Sequence, residues 1–215
     1  MAATRPQERT SKVEFQTLRP LHGWAMTCLA ANAIVAILDV GNTTFDLDLL
    51  GRTEGISSLI LEGELERAAA RRALLYYATL GAMALAAVVF LPWFFRAYRN
   101  LAALEAPHRS TPGWAVIGWF IPFGNFYLPY RSMQEIWKGA GNPGSTWTVF
   151  AWWTSWLSAA LLERLSGLAL RDGRLDDATA LHLGGAALAA LSAIVCVVLI
   201  RSISKGQERL WAKRT

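Results

Sequence analysis

The residues best suited to binding an acidic group lie near the middle of the chain. Arg96 and Arg99 are three positions apart and therefore share one face of an α-helix, and Asn100 follows directly. Together with Arg131, they could hold lipid phosphates or the acidic groups of a partner through charge-assisted hydrogen bonds. The simpler alternative is that these arginines extend their charged ends from a membrane edge into water. Both interpretations place the cluster at a membrane surface.

Two further polar residues could belong to this site. Glu135 could pair with Arg96 or Arg99, which would lock its segment onto the helix that carries them and make the cluster architectural. Asn125 stands between two prolines in an apolar stretch. It could line a polar cavity, as broken helices do in transporters, or it could cap a helix or satisfy backbone groups freed at a bend, which we favour.

Catalytic and metal chemistry finds little support in the sequence. The three histidines, His22, His108 and His182, are scattered, and none has a Cys, His or acidic neighbour at zinc-ligand spacing. No phosphate-binding loop, nucleophile elbow or pair of catalytic carboxylates is present. The two cysteines lie in apolar segments, which predicts buried thiols rather than a disulfide. We therefore predict that the protein is not an enzyme and has no catalytic residue, metal site or cofactor.

The elements that must position these residues follow from the composition, which is that of a membrane protein. Hydrophobic residues make up 53% of the chain and charged residues 17%. Four windows lack formal charge, and each is close to the roughly 20 residues that a helix needs to cross a bilayer. We predict an all-α polytopic fold with four transmembrane helices and short tails at 1–20 and 201–215, the helices falling at about 21–40, 73–95, 146–170 and 178–200.

The distribution of Lys and Arg predicts the orientation of these helices. With the amino terminus inside and four crossings, 14 of the 21 basic residues fall on the cytoplasmic side. Positive charge is enriched in cytoplasmic loops, so both termini are predicted to be cytoplasmic. The basic tail at 201–215 should be attracted to anionic lipids of the cytoplasmic leaflet.

The segment 113–130 is uncharged but interrupted by Pro122, Gly124, Asn125 and Pro129. If it crossed as a fifth helix, the recounted basic residues would be 10 inside and 11 outside, and the bias would vanish. Interior prolines also remove helical hydrogen bonds. We therefore predict a re-entrant or interfacial helical hairpin at about 113–137, entering from the cytoplasmic side. Backbone groups freed at its bend must be satisfied by protein or water, because lipid cannot satisfy them.

Three blocks of sequence carry a resemblance to a known family. They are WFFRAYRNL from Trp93, TPGW from Thr111 and GWFIPFGNFYLPYRSMQEIW from Gly118. An aromatic-Arg-x-x-Arg-Asn block followed by a Trp-Phe-Ile-Pro block resembles the bacterial membrane family called domain of unknown function 4328. The resemblance implies a multi-pass bacterial membrane protein, and we expect it in the inner membrane. The resemblance implies no activity.

The function predicted from these features is binding rather than catalysis. We expect a non-catalytic membrane scaffold, sensor or partner-binding subunit, with anionic lipids, a membrane protein or a second copy as partner and no nucleic acid. The alternative is a small channel or transporter component, in which the broken helix around Pro122 to Asn125 lines a polar path. Asn32, in the middle of the first helix, could join such a path or could make an interhelical hydrogen bond, which we favour.

Overall fold

The computed structural model describes residues 14–51, 58–142 and 145–214. Helix accounts for 84% of the structure, and the described residues form no strand, so the prediction of an all-α fold is confirmed. A single turn of 3₁₀ helix spans Gly124–Phe126. The α-helices are α1 Arg19–Gly51, α2 Ser58–Ala103, α3 Pro112–Ile117, α4 Leu128–Gly139, α5 Trp147–Arg171 and α6 Leu175–Ala212.

Among the described residues, three helices are long and apolar enough to cross a membrane. They comprise Arg19–Asp48 of α1, Glu62–Ala103 of α2 and Leu175–Ala212 of α6. α5 is not among them, because Trp, Thr and Ser occupy much of its first half and Glu163 and Arg164 lie within it. The apolar windows of α1 and α2 are mostly exposed, at 17% and 11% buried. Apolar surface of this extent needs lipid or another chain to cover it.

The long helices form an antiparallel bundle in which α1 lies between α2 and α6, and α5 packs on the other side of α6. Two contacts show that α1 and α6 run in opposite directions. Asp39 of α1 lies against His182 near the start of α6, and Leu18, just before α1, lies against Glu208 near the end of α6. The start of α1, the end of α2, the start of α5 and the end of α6 therefore share one end of the bundle. α3 and α4 contact α2, and α4 also contacts α5 and α6, at this same end. We call it the hairpin end.

Away from the hairpin end, α1 and α2 continue well beyond their uncharged windows. α1 has 33 residues and α2 has 46, lengths of about 50 Å and about 69 Å, against about 30 Å of hydrocarbon in a bilayer. The buried carboxylate of Asp46 holds the two helices together, accepting hydrogen bonds from Arg71 at 2.7 Å and from Arg72 at 2.9 Å. At this end of the bundle, charged residues such as Asp46 and Arg71 therefore lie within α-helices and not in a loop.

The core is concentrated at the hairpin end. Its largest side chains with less than 2% exposure come from α2, α4, α5, α6 and the segment before α1. Large rings and branched chains from all these elements pack together at this end. These side chains include Trp93, Phe94, Tyr98, Leu101, Met133, Ile136, Val149, Leu199, Ile200, Ile203 and Leu18.

The segment 113–130 forms two short limbs joined by a bend, not one continuous helix. α3 ends at Ile117, and Gly118 packs so closely on Leu128 that a Cβ at this glycine would lie 2.9 Å from the Leu128 Cβ. The chain has therefore folded back on itself within ten positions. At the bend, Phe123 takes the left-handed backbone angle φ 63°, which is strained for a bulky residue.

Candidate functional site

Glu135 is the point where α2, α4 and the connection before α3 meet. Its Oε2 accepts hydrogen bonds from the Tyr98 hydroxyl at 2.5 Å and the Arg109 backbone N–H at 3.2 Å, and its Oε1 accepts from Arg131 Nε at 3.3 Å. The Tyr98 oxygen in turn accepts from the Ser110 N–H at 3.0 Å. We call this set the Tyr98–Glu135 clasp. It directs three hydrogen-bond donors, one of them the Arg131 guanidinium group, at a single carboxylate.

Glu135 pairs with neither Arg96 nor Arg99, although the sequence offered both as partners. It does join α4 to α2, but the residue it reaches is Tyr98, which lies on the buried face of the helix. Arg96 and Arg99 lie on the opposite, partly exposed face. Within the described part of the chain, neither guanidinium group makes a hydrogen bond or an ion pair.

Arg99 lines a surface cleft of about 300 Å³ between α2 and the start of α3. A second cleft of about 440 Å³ adjoins it, and His108 lines both. The second cleft carries Arg109 and Lys138, with Glu135 on its wall. We call the two together the basic cleft. Its other lining residues are Phe95, Tyr98, Ala102, Ala106, Pro107, Pro112, Gly113, Gly139, Gly141 and Leu210.

Asn100 is adjacent to Arg99 in sequence but points into the core, where it is fully buried. Its amide nitrogen donates to the Gln16 carbonyl at 2.8 Å and to Gln207 Oε1 at 3.1 Å, and its amide oxygen accepts from the Gln16 N–H at 2.9 Å. Gln207 completes the network by donating to the Ala97 carbonyl at 2.9 Å. Asn100 therefore organises the core rather than the basic cleft.

The same network fastens the segment before α1 across the hairpin end. Glu208 accepts hydrogen bonds from the Thr17 hydroxyl at 2.6 Å and the Leu18 N–H at 3.0 Å. Phe15 stacks on Trp211 with ring centroids 5.1 Å apart. Gln207 and Glu208 were not predicted as part of a site, and Trp211 was predicted only as an apolar residue of the basic tail. The sequence carries one signal for them, because polar and aromatic residues recur on one face of the helix after position 200. A tail without contacts would not require such residues at that spacing.

The bend between α3 and α4 is held by aromatic residues of α5. Trp153 Nε1 donates to the Phe126 carbonyl at 2.9 Å, so protein satisfies one backbone group freed at the bend. Trp119 lies within 6.3 Å, centroid to centroid, of the rings of Phe90, Phe94, Trp152, Trp153 and Trp156. The Asn125 side chain is half-buried and makes no hydrogen bond within the described residues, so it caps neither neighbouring helix.

Two further polar side chains, Asn32 and His182, make contacts away from the hairpin end. Asn32 donates to the Cys28 carbonyl at 3.0 Å and, across to α2, to the Ala82 carbonyl at 2.9 Å, the interhelical bond that we favoured for it. His182 lies between two carboxylates, with Nε2 3.1 Å from Asp39 and Nδ1 3.2 Å from Glu163. Within the described residues, no three Cys, His, Asp or Glu side chains are placed to hold a metal ion.

The all-helical fold and its three membrane-length apolar helices are the makeup of an integral membrane protein. The chain belongs to the family described as Domain of unknown function (DUF4328), whose sequence model matches residues 57–205. The predicted resemblance is thereby confirmed. No curated protein and no solved structure matches the chain.

Proposed function

We propose that the chain crosses the bacterial inner membrane four times, with α5 as the third crossing and both termini in the cytoplasm. α5 has 25 residues, about 38 Å of helix, and it packs antiparallel on α6. Contacts run along this whole pair, from Ser166 with Ala178 to Trp152 with Ser192. The Trp residues of α5 suit a membrane helix that packs on other helices of the chain rather than on lipid alone. The excess of Lys and Arg at the hairpin end supports placing that end in the cytoplasm.

In this topology the hairpin enters the membrane from the cytoplasmic side and returns to it. Trp119 packs against α5 residues five to nine positions after its start at Trp147, which corresponds to a depth of about 8–14 Å. The strained Phe123 is 86% exposed, which suits a side chain that enters lipid. The other exposed apolar residues of the hairpin are Trp114, Ile117, Phe120, Phe126 and Tyr127.

The protein acts by binding, through the basic cleft at the cytoplasmic surface of the membrane. The observation that carries this proposal is the contrast between Glu135 and the arginines of α2. Three donors engage Glu135, whereas Arg96 and Arg99 face outward without a partner among the described residues. The packed core positions the stretch of α2 from which these two cations project, which favours binding of an acidic group at one place. No enzymatic step is required of it.

A channel or transporter component is the second candidate, and the amide of Asn125, which has no hydrogen-bond partner among the described residues, is the feature that favours it. Two observations weigh against a polar path through one chain. The Asn32 side chain already donates a hydrogen bond from α1 to the Ala82 carbonyl of α2. The region around Trp93 and Trp119 is filled by packed rings. A path would have to run between copies of the chain.

Photo-crosslinking in intact cells tests the docking proposal. A photoreactive amino acid replaces His108, which lines both parts of the basic cleft. We expect a discrete adduct that is lost when Arg96→Glu and Arg99→Glu are combined. The matched control combines Arg164→Glu and Arg171→Glu, at the opposite end of the bundle, and should keep the adduct. An adduct that survives both pairs, or no discrete adduct at all, would contradict a docking role for the cleft.

A further inference from the structure

We propose that the acidic group held in the basic cleft is the phosphate of a lipid headgroup, an inference that rests on the docking function proposed above. The ligand class is a glycerophospholipid of net negative charge in the cytoplasmic leaflet. Arg99 supplies the direct contact and Arg96 supports it. The inference depends on which groups are unpaired, on how they are spaced and on what surrounds the cleft.

The two arginines lie on one face of α2, where Arg99 lines the cleft and Arg96 lies one turn away from it. Arg96 lies three positions before Arg99, about 4.5 Å along the helix axis toward the membrane interior. Both sit on the partly exposed face of α2, next to Phe95. A guanidinium group is a planar fork that binds two phosphate oxygens at once, and it remains charged at any physiological pH. Two such forks at successive depths suit an anion whose attached chain continues into the bilayer.

The negative charge nearest to the cleft is the carboxylate of Glu135, which is already engaged by groups of the protein. Glu135 is a wall residue, but Tyr98, Arg109 and Arg131 already donate hydrogen bonds to it. The side chains of Arg109 and Lys138 add positive charge on the neighbouring wall. Arg99, Arg109, Arg131 and Lys138 thus lie around one carboxylate, and this balance of charge favours an anion in the cleft.

The surroundings of the cleft favour a lipid over an acidic protein segment. Phe95 is 37% exposed and forms part of the wall, and Trp114, directly after the lining residue Gly113, is 59% exposed. Exposed aromatic residues of this kind lie at the headgroup level of a membrane. The arginines also follow directly after the long apolar run of α2, which places them where lipid phosphates are found. An acyl chain can continue from the cleft along Phe95, which forms part of its wall.

Native mass spectrometry of the full-length, detergent-purified chain tests this inference. The probes are dioleoyl phosphatidylglycerol, dioleoyl phosphatidylcholine as its zwitterionic counterpart, and inorganic phosphate as competitor. We expect one phosphatidylglycerol to bind about tenfold more tightly than phosphatidylcholine, since a charge-assisted hydrogen-bonded contact is of that order. Combining Arg96→Gln with Arg99→Gln should remove this preference, while Arg164→Gln with Arg171→Gln should keep it. Helix content by circular dichroism confirms that each variant is folded.

The outcomes separate the possible sources of the anion. Arg99→Lys keeps the charge but loses the fork, so partial loss of the preference supports a direct phosphate contact. Release of the bound lipid by millimolar inorganic phosphate would overturn the lipid assignment, because the site would then be one for free phosphate. A preference unchanged by Arg96→Gln and Arg99→Gln would also overturn it. If that happens while the crosslink at His108 still depends on the arginines, the docking function stands and its ligand is an acidic protein.

Discussion

The Tyr98 hydroxyl and the Glu135 carboxylate are joined by a hydrogen bond of 2.5 Å that fixes α4 against α2. The same hydroxyl accepts the Ser110 N–H, so one oxygen atom also positions the connection that leads into α3. The walls of the basic cleft are thereby set by a contact within the protein. The arginines of α2 take no part in it and are left available.

Removing this hydroxyl should loosen the hairpin end. Tyr98→Phe leaves Glu135 and the Ser110 N–H without that partner, and we expect it to lower the free energy of unfolding by about 1–3 kcal/mol. Thermal unfolding in detergent measures the effect. Tyr76→Phe is the matched control, since Tyr76 lies on the same helix, is 62% exposed and should be neutral. Equal losses in the two variants would show that the clasp does not contribute to stability.

Replacing Asn100 should release the segment before α1. Asn100→Leu removes the donor to Gln207 Oε1 and the hydrogen-bond partner of both backbone groups of the half-buried Gln16, while Gln207 keeps its bond to Ala97. We expect a loss of about 3 kcal/mol in unfolding free energy, together with faster hydrogen exchange at residues 15–18. The matched control is Asn125→Leu, because the Asn125 side chain makes no hydrogen bond within the described residues. Unchanged exchange at 15–18 in Asn100→Leu would contradict the role assigned to the network.

A glycine contact determines how closely α6 approaches the end of α4. A Cβ at Gly206 would clash with the Ala140 carbonyl oxygen, and backbone cannot turn aside as a side chain can. Gly206→Ala should therefore destabilise by about 1–3 kcal/mol. Gly167, a helical glycine of α5, has open space where a Cβ would lie, so Gly167→Ala should be neutral or stabilising by up to about 1 kcal/mol. Thermal unfolding of Gly206→Ala and Gly167→Ala measures the difference. Equal stability of the two variants would contradict the close contact proposed between Gly206 and Ala140.

His182 should couple α1, α5 and α6 at the opposite end of the bundle. It lies between Asp39 and Glu163, so His182→Ala removes two polar contacts and leaves two carboxylates without their shared partner. We expect a loss of about 1–2 kcal/mol, tempered because all three groups are partly exposed. A double-mutant cycle with Asp39→Asn measures the coupling. Strictly additive losses would show that the contact between His182 and Asp39 carries no energy.

The fold class and the family could be read from the sequence because each has a strong local signal. Uncharged windows mark apolar helices, and the aromatic and arginine blocks mark the family. Helix ends carried no comparable signal. α1 continues to Gly51 and α2 starts at Ser58. Charged residues such as Asp46 and Arg71 are accommodated in these helices because they form an ion pair between α1 and α2. A count of charges shows where a membrane ends, and helices can continue beyond it.

The candidate site was only partly predictable for a similar reason. The spacing of Arg96 and Arg99 correctly indicates a shared helix face, because that depends on helical geometry alone. The partner of Glu135 depends on tertiary packing, and a tyrosine hydroxyl among aromatic residues gives no charge signal. Asn100 was grouped with the arginines by adjacency, but successive residues of a helix point about 100° apart. That rotation turns Asn100 to the core and Arg99 to the cleft.

The most direct test of the account is the side of the membrane on which the two ends of the hairpin region lie. Single cysteines replace Ser110 and Ser145 in a chain without Cys28 and Cys196, and a membrane-impermeant thiol reagent is applied to intact and then to opened cells. A cysteine at Asp172, in the exposed turn between α5 and α6, serves as the outward control and should label in intact cells. We predict that positions 110 and 145 are both protected until the cells are opened. Labelling of one of them in intact cells and of the other only after opening would show that the segment 113–130 crosses the membrane, and would contradict the proposed topology and the cytoplasmic cleft.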